Sequence, residues 1–354
     1  KLIDVDNQEY IDYSLSYGAL ITGHGHEAIK KATIEQMEDS GTMLFGAPHK
    51  LEIEMANKIK HLYPSMEQVR FTNSGTEAVL LAIRLAIAYT NRSKIAKFEG
   101  HYHGGLNEVL VSINPSKDLA GSEDQPTPVY ESDGIPEEQK DTIVLPFNHI
   151  EATEKILRKH AEDIAAVILE PVQGGFIPAK QSFIEQMKQL THEINILLIF
   201  DEVKTGFRVA LGGAQALYKI EPDITTLGKV LGGGLPVGAV GGKKEIMMMS
   251  AAQAKNDVFA VGSDLNQTSK TVFHSGTYNG HPLVLAAGIE TIRLLEEDKQ
   301  LDQAIQHTNN LRERLEQLYK SYQIPMKTLG IGTIFNIAFT NESIHSYRDM
   351  WQSD

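Results

Sequence analysis

Cysteine is absent from this 354-residue chain. Disulfides and thiolate metal sites are thereby excluded, and nothing points to secretion. Long apolar runs are missing too: no stretch approaches the ~18–20 residues a membrane helix needs. Positive charge is in deficit, with 33 Lys+Arg against 46 Asp+Glu and a formal net charge of −13. That balance argues against nucleic acid as a partner and says nothing about fold. There is no P-loop, no well-placed G-x-G-x-x-G after a strand, no G-x-S-x-G elbow, no internal repeat and no low-complexity tract. What is present is an ordinary globular composition, 42% hydrophobic and 22% charged, in a chain long enough for two domains. The chain opens on Lys1 in strand-like sequence and reads as part of something longer, with the cytoplasm as its expected compartment.

Residues 1–13 alternate apolar and polar around Asp6 and Asn7, the pattern of a small hairpin. Helices are expected over 27–39, 51–62, 74–89, 150–162 and 182–193, and strands over 69–72, 95–98, 108–112, 165–169 and 196–200. Residues 114–139 and 251–270 read as polar excursions. Residues 283–319 read as a long helical region broken near Asp298, and 324–339 return to strand-like sequence. This rhythm predicts a mostly parallel, doubly wound sheet with helices on both faces.

The segment 196–236 carries the chemistry. An apolar run, Ile196 to Phe200, ends in two carboxylates, Asp201 and Glu202. Such a run reads as a doubly buried strand with Asp201 at its C-terminal end, where ligands sit in open α/β sheets. Lys229 follows Thr225-Thr226-Leu227-Gly228 and precedes Gly232, Gly233 and Gly234. A lysine held in apolar surroundings favours its free amine, a nucleophile toward carbonyls. An amine and a carboxylate converging on one crevice suit a cofactor with an aldehyde and a cationic ring nitrogen, and pyridoxal phosphate has both. Taken singly, Asp201 as a strand cap and Lys229 as a loop lysine stay open. Ser74-Gly75-Thr76 lies at a strand-to-helix junction, where free N–H groups suit a phosphate; Ser74 with Glu77 is also a capping box. His101 and His103 beside Glu99 offer a weak metal pattern with no third ligand nearby.

D-E-V-K-T-G-F-R (Asp201 to Arg208), the T-L-G-K before the glycine turn, and S-G-T-E-A at 74–78 resemble the class III pyridoxal-phosphate aminotransferases, with glutamate-1-semialdehyde aminomutase as a similar branch. The resemblance implies fold type I: a seven-stranded, mostly parallel sheet in a large domain (45–288), plus a smaller α+β domain from 1–44 and 289–354. It implies catalysis by Lys229 through a Schiff base, by Asp201 at the ring nitrogen and by Tyr102 on the ring face. Cofactor contacts carried over are Ser74, Gly75, Thr76, His103, Gln173 at the phenolic oxygen or substrate, and Val203 on the face opposite Tyr102. Val203 is equally explained by core packing. Gly276 and Thr277, in S-G-T-Y-N-G-H-P, would reach a partner's phosphate in a homodimer; a turn before a helix explains them as well. Tyr17 and Glu202 are carried over to the substrate side, Tyr17 with an ordinary buried tyrosine as the alternative, and Arg208 stays open between carboxylate partner and structural residue. Gln173 departs from the aminomutase, which usually has a small residue there and an asparagine downstream. The activity implied is amino transfer from a small-molecule donor to an oxo acceptor. Aminomutase chemistry, amination of a carrier-bound β-oxo acyl chain and cofactor binding without turnover are the alternatives.

Overall fold

The computed structural model describes residues 1–251 and 271–353. The hairpin forms from β1 (Leu2–Ile3) and β2 (Glu9–Tyr10), followed by helices α1 (Glu27–Ser40) and α2 (Lys50–Leu62). The large sheet is built from β3 (Gln68–Thr72), β4 (Lys94–Phe98), β5 (Ile143–Leu145), β6 (Ile164–Leu169), β7 (Leu197–Asp201), β8 (Ile224–Gly228) and β9 (Gly238–Gly242). Its order is β3-β9-β8-β7-β6-β4-β5, and only β9 runs antiparallel to its neighbours. Helices α3 (Gly75–Thr90), α4 (Ile150–Lys159) and α5 (Gln181–Glu193) fill the intervals between strands. Every residue of β6 is buried, the expected condition of a strand covered on both faces. Further along come α6 (Gly213–Tyr218), α7 (Pro282–Glu296), α8 (Gln300–Ser321) and a separate antiparallel pair, β10 (Lys327–Ile331) with β11 (Ile334–Ala338). The expected break near Asp298 is the α7–α8 junction.

The expected strand over 108–112 does not form. Leu106 O accepts from both Val109 N and Leu110 N, so local turn bonds take the groups a ladder would need. Only Val111 makes a bridge, to Tyr130. Strand β5 was not legible because its I-V-L run is only three residues long, and β8 and β9 because I-T-T-L-G and G-A-V-G-G carry few large apolar side chains. In β9 small residues are required: a Cβ at Gly238 would collide with the Ser74 carbonyl and the Thr72 hydroxyl. The excursion expected over 251–270 lies, apart from Ala251, outside the described residues. Among the described residues no helix is long and apolar enough to cross a membrane.

Lys97 sits in β4 with no exposed surface. Burial pushes its pKa from 10.5 down to about 7, against the opposing charges of Glu170, Glu131 and Glu99. Between about pH 7 and 10.5 the unfolded chain therefore holds a proton here that the folded chain has released. Stability from this group rises with pH across that window, and the full burial penalty is felt below it. Thermal unfolding at about pH 7 and pH 9.5 checks this: wild type gains stability relative to Lys97→Met as pH rises. Parallel profiles for the two proteins would refute it.

Candidate active site

Five strand ends converge at the carboxyl edge of the sheet: β3 delivers Gly75 and Thr76, β4 leads to Tyr102 and His103, β6 to Glu170, β7 to Asp201 and β8 to Lys229. This edge is where open α/β sheets bind ligands. The cavity there measures about 220 Å³ and is lined by these residues with Val79, Gly104, Val203 and Lys204. A larger hollow of about 380 Å³ beside Arg70 has Lys60 and Glu67 on its wall but neither Lys229 nor Asp201.

Lys229 takes up φ +48°, a left-handed backbone that costs an L-residue about 1–2 kcal/mol. Its side chain is half-buried. Burial, helped by the charges of Lys204 and Arg208, lowers its pKa, while Asp201 and Glu170 pull the other way. The amine is thus biased toward its nucleophilic form. Asp201 is buried. Its Oδ2 lies 2.8 Å from His103 Nδ1, and its Oδ1 accepts from Val203 N at 3.1 Å and Thr226 Oγ1 at 3.2 Å. Burial raises this carboxyl, but the hydrogen bond and charge of His103, the Val203 amide and Lys204 outweigh it and hold the pKa below the usual carboxylate range. An ionised carboxylate therefore faces the cavity, matched to a cationic ring nitrogen.

The anion end is built by α3. Ser74 Oγ accepts from Glu77 N at 3.1 Å, and Ala78 N bonds to Ser74 O. The amides of Gly75 and Thr76, both on the cavity wall, are left with no protein acceptor among the described residues. A phosphate suits those free donors at a helix N-terminus. A Cβ at Gly75 would meet Val203 at 2.8 Å, so the close approach of α3 to the β7 turn depends on glycine. Capping by Ser74 thus leaves the Gly75 and Thr76 amides free, and Glu77 reaches back to Asn73 N instead of Ser74 N.

The family model for class-III aminotransferases matches residues 1–352. This chain belongs to that family. Its cofactor is pyridoxal phosphate, and its fold is the type I fold of the pyridoxal-phosphate transferases. A glutamate-1-semialdehyde 2,1-aminomutase of Persephonella marina is 45% identical over 357 residues, spanning 100% of this chain and 78% of the relative. An ω-transaminase from Sphaerobacter thermophilus superposes with a TM-score of 0.89 at 35% identity, covering 98% of this chain and 76% of that one. A transaminase solved with pyridoxal phosphate bound gives 0.83 at 31% identity, covering 97% and 76%.

Of the residues read from the sequence, the aminotransferase brings Gly75, Thr76, Tyr102, His103, Asp201, Val203 and Lys229 to one cavity. Others fall elsewhere. Glu202 is a correction: it is fully buried, accepting from Thr205 Oγ1, Ala214 N and both the backbone and side-chain nitrogens of Gln215, and burial raises its pKa. It anchors the start of α6 and does not line the cavity. Tyr17 is a second correction, since it is 91% exposed and off the cavity wall, neither a pocket wall nor a buried tyrosine. A run of positive φ from Leu15 to Tyr17 turns it outward. Arg208 donates to the carbonyls of Gly18 and Leu20 and is committed to structure. Gln173 is buried beside Gly100, its Oε1 has no hydrogen-bond partner among the described residues, and it does not line the cavity. Gly276 borders a different hollow with Arg70 and Asn279, and Thr277 is exposed.

Two charged residues on the wall went unassigned in the sequence. Glu170 accepts from Tyr102 N at 2.9 Å and Gly174 N at 3.2 Å, and its Oε1 lies 2.8 Å from Lys204 Nζ. That ammonium stands 5.8 Å from the centroid of the Tyr102 ring. Burial lowers the pKa of Lys204, but Glu170, joined by Asp201 and Tyr102, more than compensates and the net shift is upward. The signal was in plain view: Glu170 ends a buried strand as Asp201 does, and Lys204 lies three residues beyond Asp201. Among the described residues no group of three or more His, Asp or Glu could hold a metal.

Proposed function

We propose that this aminotransferase moves an amino group from a small-molecule amine to a separate oxo acceptor, with Lys229 as the working base. The observation that carries the reading is the shared cavity of a neutral-biased Lys229 amine and an ionised Asp201. When bound, pyridoxal phosphate supplies an aldehyde carbon for the amine and a ring that accepts electrons from the substrate carbon. Lys229 Nζ takes the proton from that carbon and returns it one position away, because its tether keeps it within reach. Asp201 Oδ holds the proton on the ring nitrogen, and His103 orients Asp201. The Gly75 and Thr76 amides hold the phosphate, while Tyr102 and Val203 cover the ring.

A second reading is intramolecular: the amino group returns to the adjacent carbon of the same molecule. The Persephonella marina relative, at 45% identity, favours it. Mass spectrometry of products separates the two. The holoenzyme is incubated with labelled amino donors and a panel of oxo acids, a carrier-linked β-oxo acyl chain included, and separately with glutamate-1-semialdehyde. Label in a new amine supports intermolecular transfer, a same-mass isomer of the semialdehyde supports the aminomutase, and neither product refutes both. The same proposal includes a homodimer in which Gly276 and Thr277 complete the partner's phosphate site, a cytoplasmic location, and the division 1–44, 45–288 and 289–354.

Lys204→Met removes a cation from the cavity, so the Lys229 amine protonates more readily. Capture of pyridoxal phosphate by the apoprotein at pH 7, followed by visible absorbance, is expected to slow several-fold to about tenfold, since the free-amine fraction sets the rate. A rate equal to wild type would show that Lys204 does not influence Lys229.

A further inference from the structure

Residues 101–111 bring Tyr102, His103 and Gly104 to the cavity, yet they contain neither helix nor strand. A segment so poor in regular structure is free to sample many backbone states unless tied down. Its ends are tied at one place. Gly100 N donates to Ser112 O at 2.8 Å. Just inside that bond, Lys97 Nζ donates to the His101 carbonyl at 2.8 Å and to the Val111 carbonyl at 2.5 Å.

Among the described residues Lys97 has no carboxylate partner. The neighbouring acids are occupied: Glu170 with Lys204, Glu99 with Arg348, and Glu131 with the amides of Ile113 and Asn114. Two carbonyls match the two N–H groups of a neutral amine, and burying a lysine for backbone acceptors alone is costly. A strand residue sealed on both faces is ordinarily apolar. The lysine is therefore explained by what it holds. Beyond the neck the tethers continue: His101 Nδ1 accepts from Glu170 N at 3.0 Å, Tyr102 N donates to Glu170, and His103 bonds to Asp201.

We propose that Lys97 is a positioning residue: by bridging the His101 and Val111 carbonyls it closes the neck of the 101–111 loop and sets the direction in which Tyr102 and His103 enter the cavity. The proposal rests on the cofactor reading of that cavity. Its test compares Lys97→Met with Leu301→Ala, a truncation in α8 outside the loop, each as holoenzyme. Pyridoxal phosphate affinity and the visible circular dichroism of the bound cofactor are measured beside thermal stability. The Lys97→Met Kd is expected to rise roughly tenfold, with a weakened visible band, while Leu301→Ala keeps both at a comparable loss of Tm. Equal Kd and equal dichroism in the two variants would overturn the clamp, since a purely structural lysine moves only Tm. Should Lys97→Met not fold, Lys97→Gln, which retains two N–H donors on a shorter stem, is compared with wild type by hydrogen exchange. Protection is expected to drop in peptides covering 101–111 before it drops in β4, and a uniform drop counts against the clamp. A wild-type protein with no visible band would defeat the Lys229 reading instead, and the exchange comparison would still decide the clamp.

Discussion

Lys229→Ala is expected to lose turnover by on the order of 10⁴-fold or more, together with the visible absorbance that reports the bond between Lys229 and its cofactor. Proton transfer by a positioned base is worth about 10²–10⁴-fold, and the variant also loses the nucleophile that captures the aldehyde. Among the described residues on the cavity wall no other amine replaces it. Lys204, the other amine on the wall, is engaged by Glu170 with its pKa raised, so it stays an ammonium and is a poor base. The left-handed backbone at Lys229 gives the experiment a useful asymmetry. Alanine removes the amine while keeping a Cβ at a strained position, so stability should change little and lost activity reports chemistry. Steady-state rates and an absorbance scan check this; a variant retaining a tenth of wild-type turnover would end the assignment.

Much of this site was legible because its chemistry is written at strand ends. A doubly buried run such as 196–200 is nearly as clear in sequence as in structure, and it fixes Asp201 at the carboxyl edge of the sheet. The Ser74 cap and the free amides of Gly75 and Thr76 were legible because a strand-to-helix junction leaves its first N–H groups without intrahelical partners. The sequence was silent where side-chain direction decides. Asp201 and Glu202 are adjacent and chemically alike, yet one faces the cavity and the other accepts four donors around the start of α6. Asp201 is the last residue of β7 and Glu202 the first beyond it, and the tertiary donors each one meets separate them. Tyr17 failed differently, because three successive left-handed residues are not announced by L-S-Y. The strands β8 and β9 were hidden by glycine, which serves close backbone approach, and by threonine, whose hydroxyls at Thr225 and Thr226 bond Gln215 and Asp201.

Asp201→Asn carries the other large effect, and it separates the two halves of the site. Asparagine keeps the shape of the carboxylate and can still accept from Val203 N and Thr226 Oγ1, but it cannot hold a proton on a ring nitrogen by charge. Removing one preorganised electrostatic contact of this kind costs about 2.7–4 kcal/mol in the transition state, or about 10²–10³-fold in kcat. The expected result is therefore a loss of that size with the visible absorbance retained, since Lys229 still captures the cofactor. Because the native carboxyl is held below its usual range, its contribution to stability is present above the unfolded value of 3.8 and is lost as pH falls through the lower folded value. Asp201 accordingly stays ionised throughout any neutral assay and contributes no titration there. Wild type and Asp201→Asn should then show pH–rate profiles displaced vertically, with the Lys229 limb of the variant moved to lower pH, because the carboxylate charge that raises the Lys229 pKa is gone. If the variant loses the absorbance along with the rate, Asp201 holds the cavity together instead of serving the ring. If the Lys229 limb stays in place or moves to higher pH, the Asp201 charge does not act on the amine across their shared cavity.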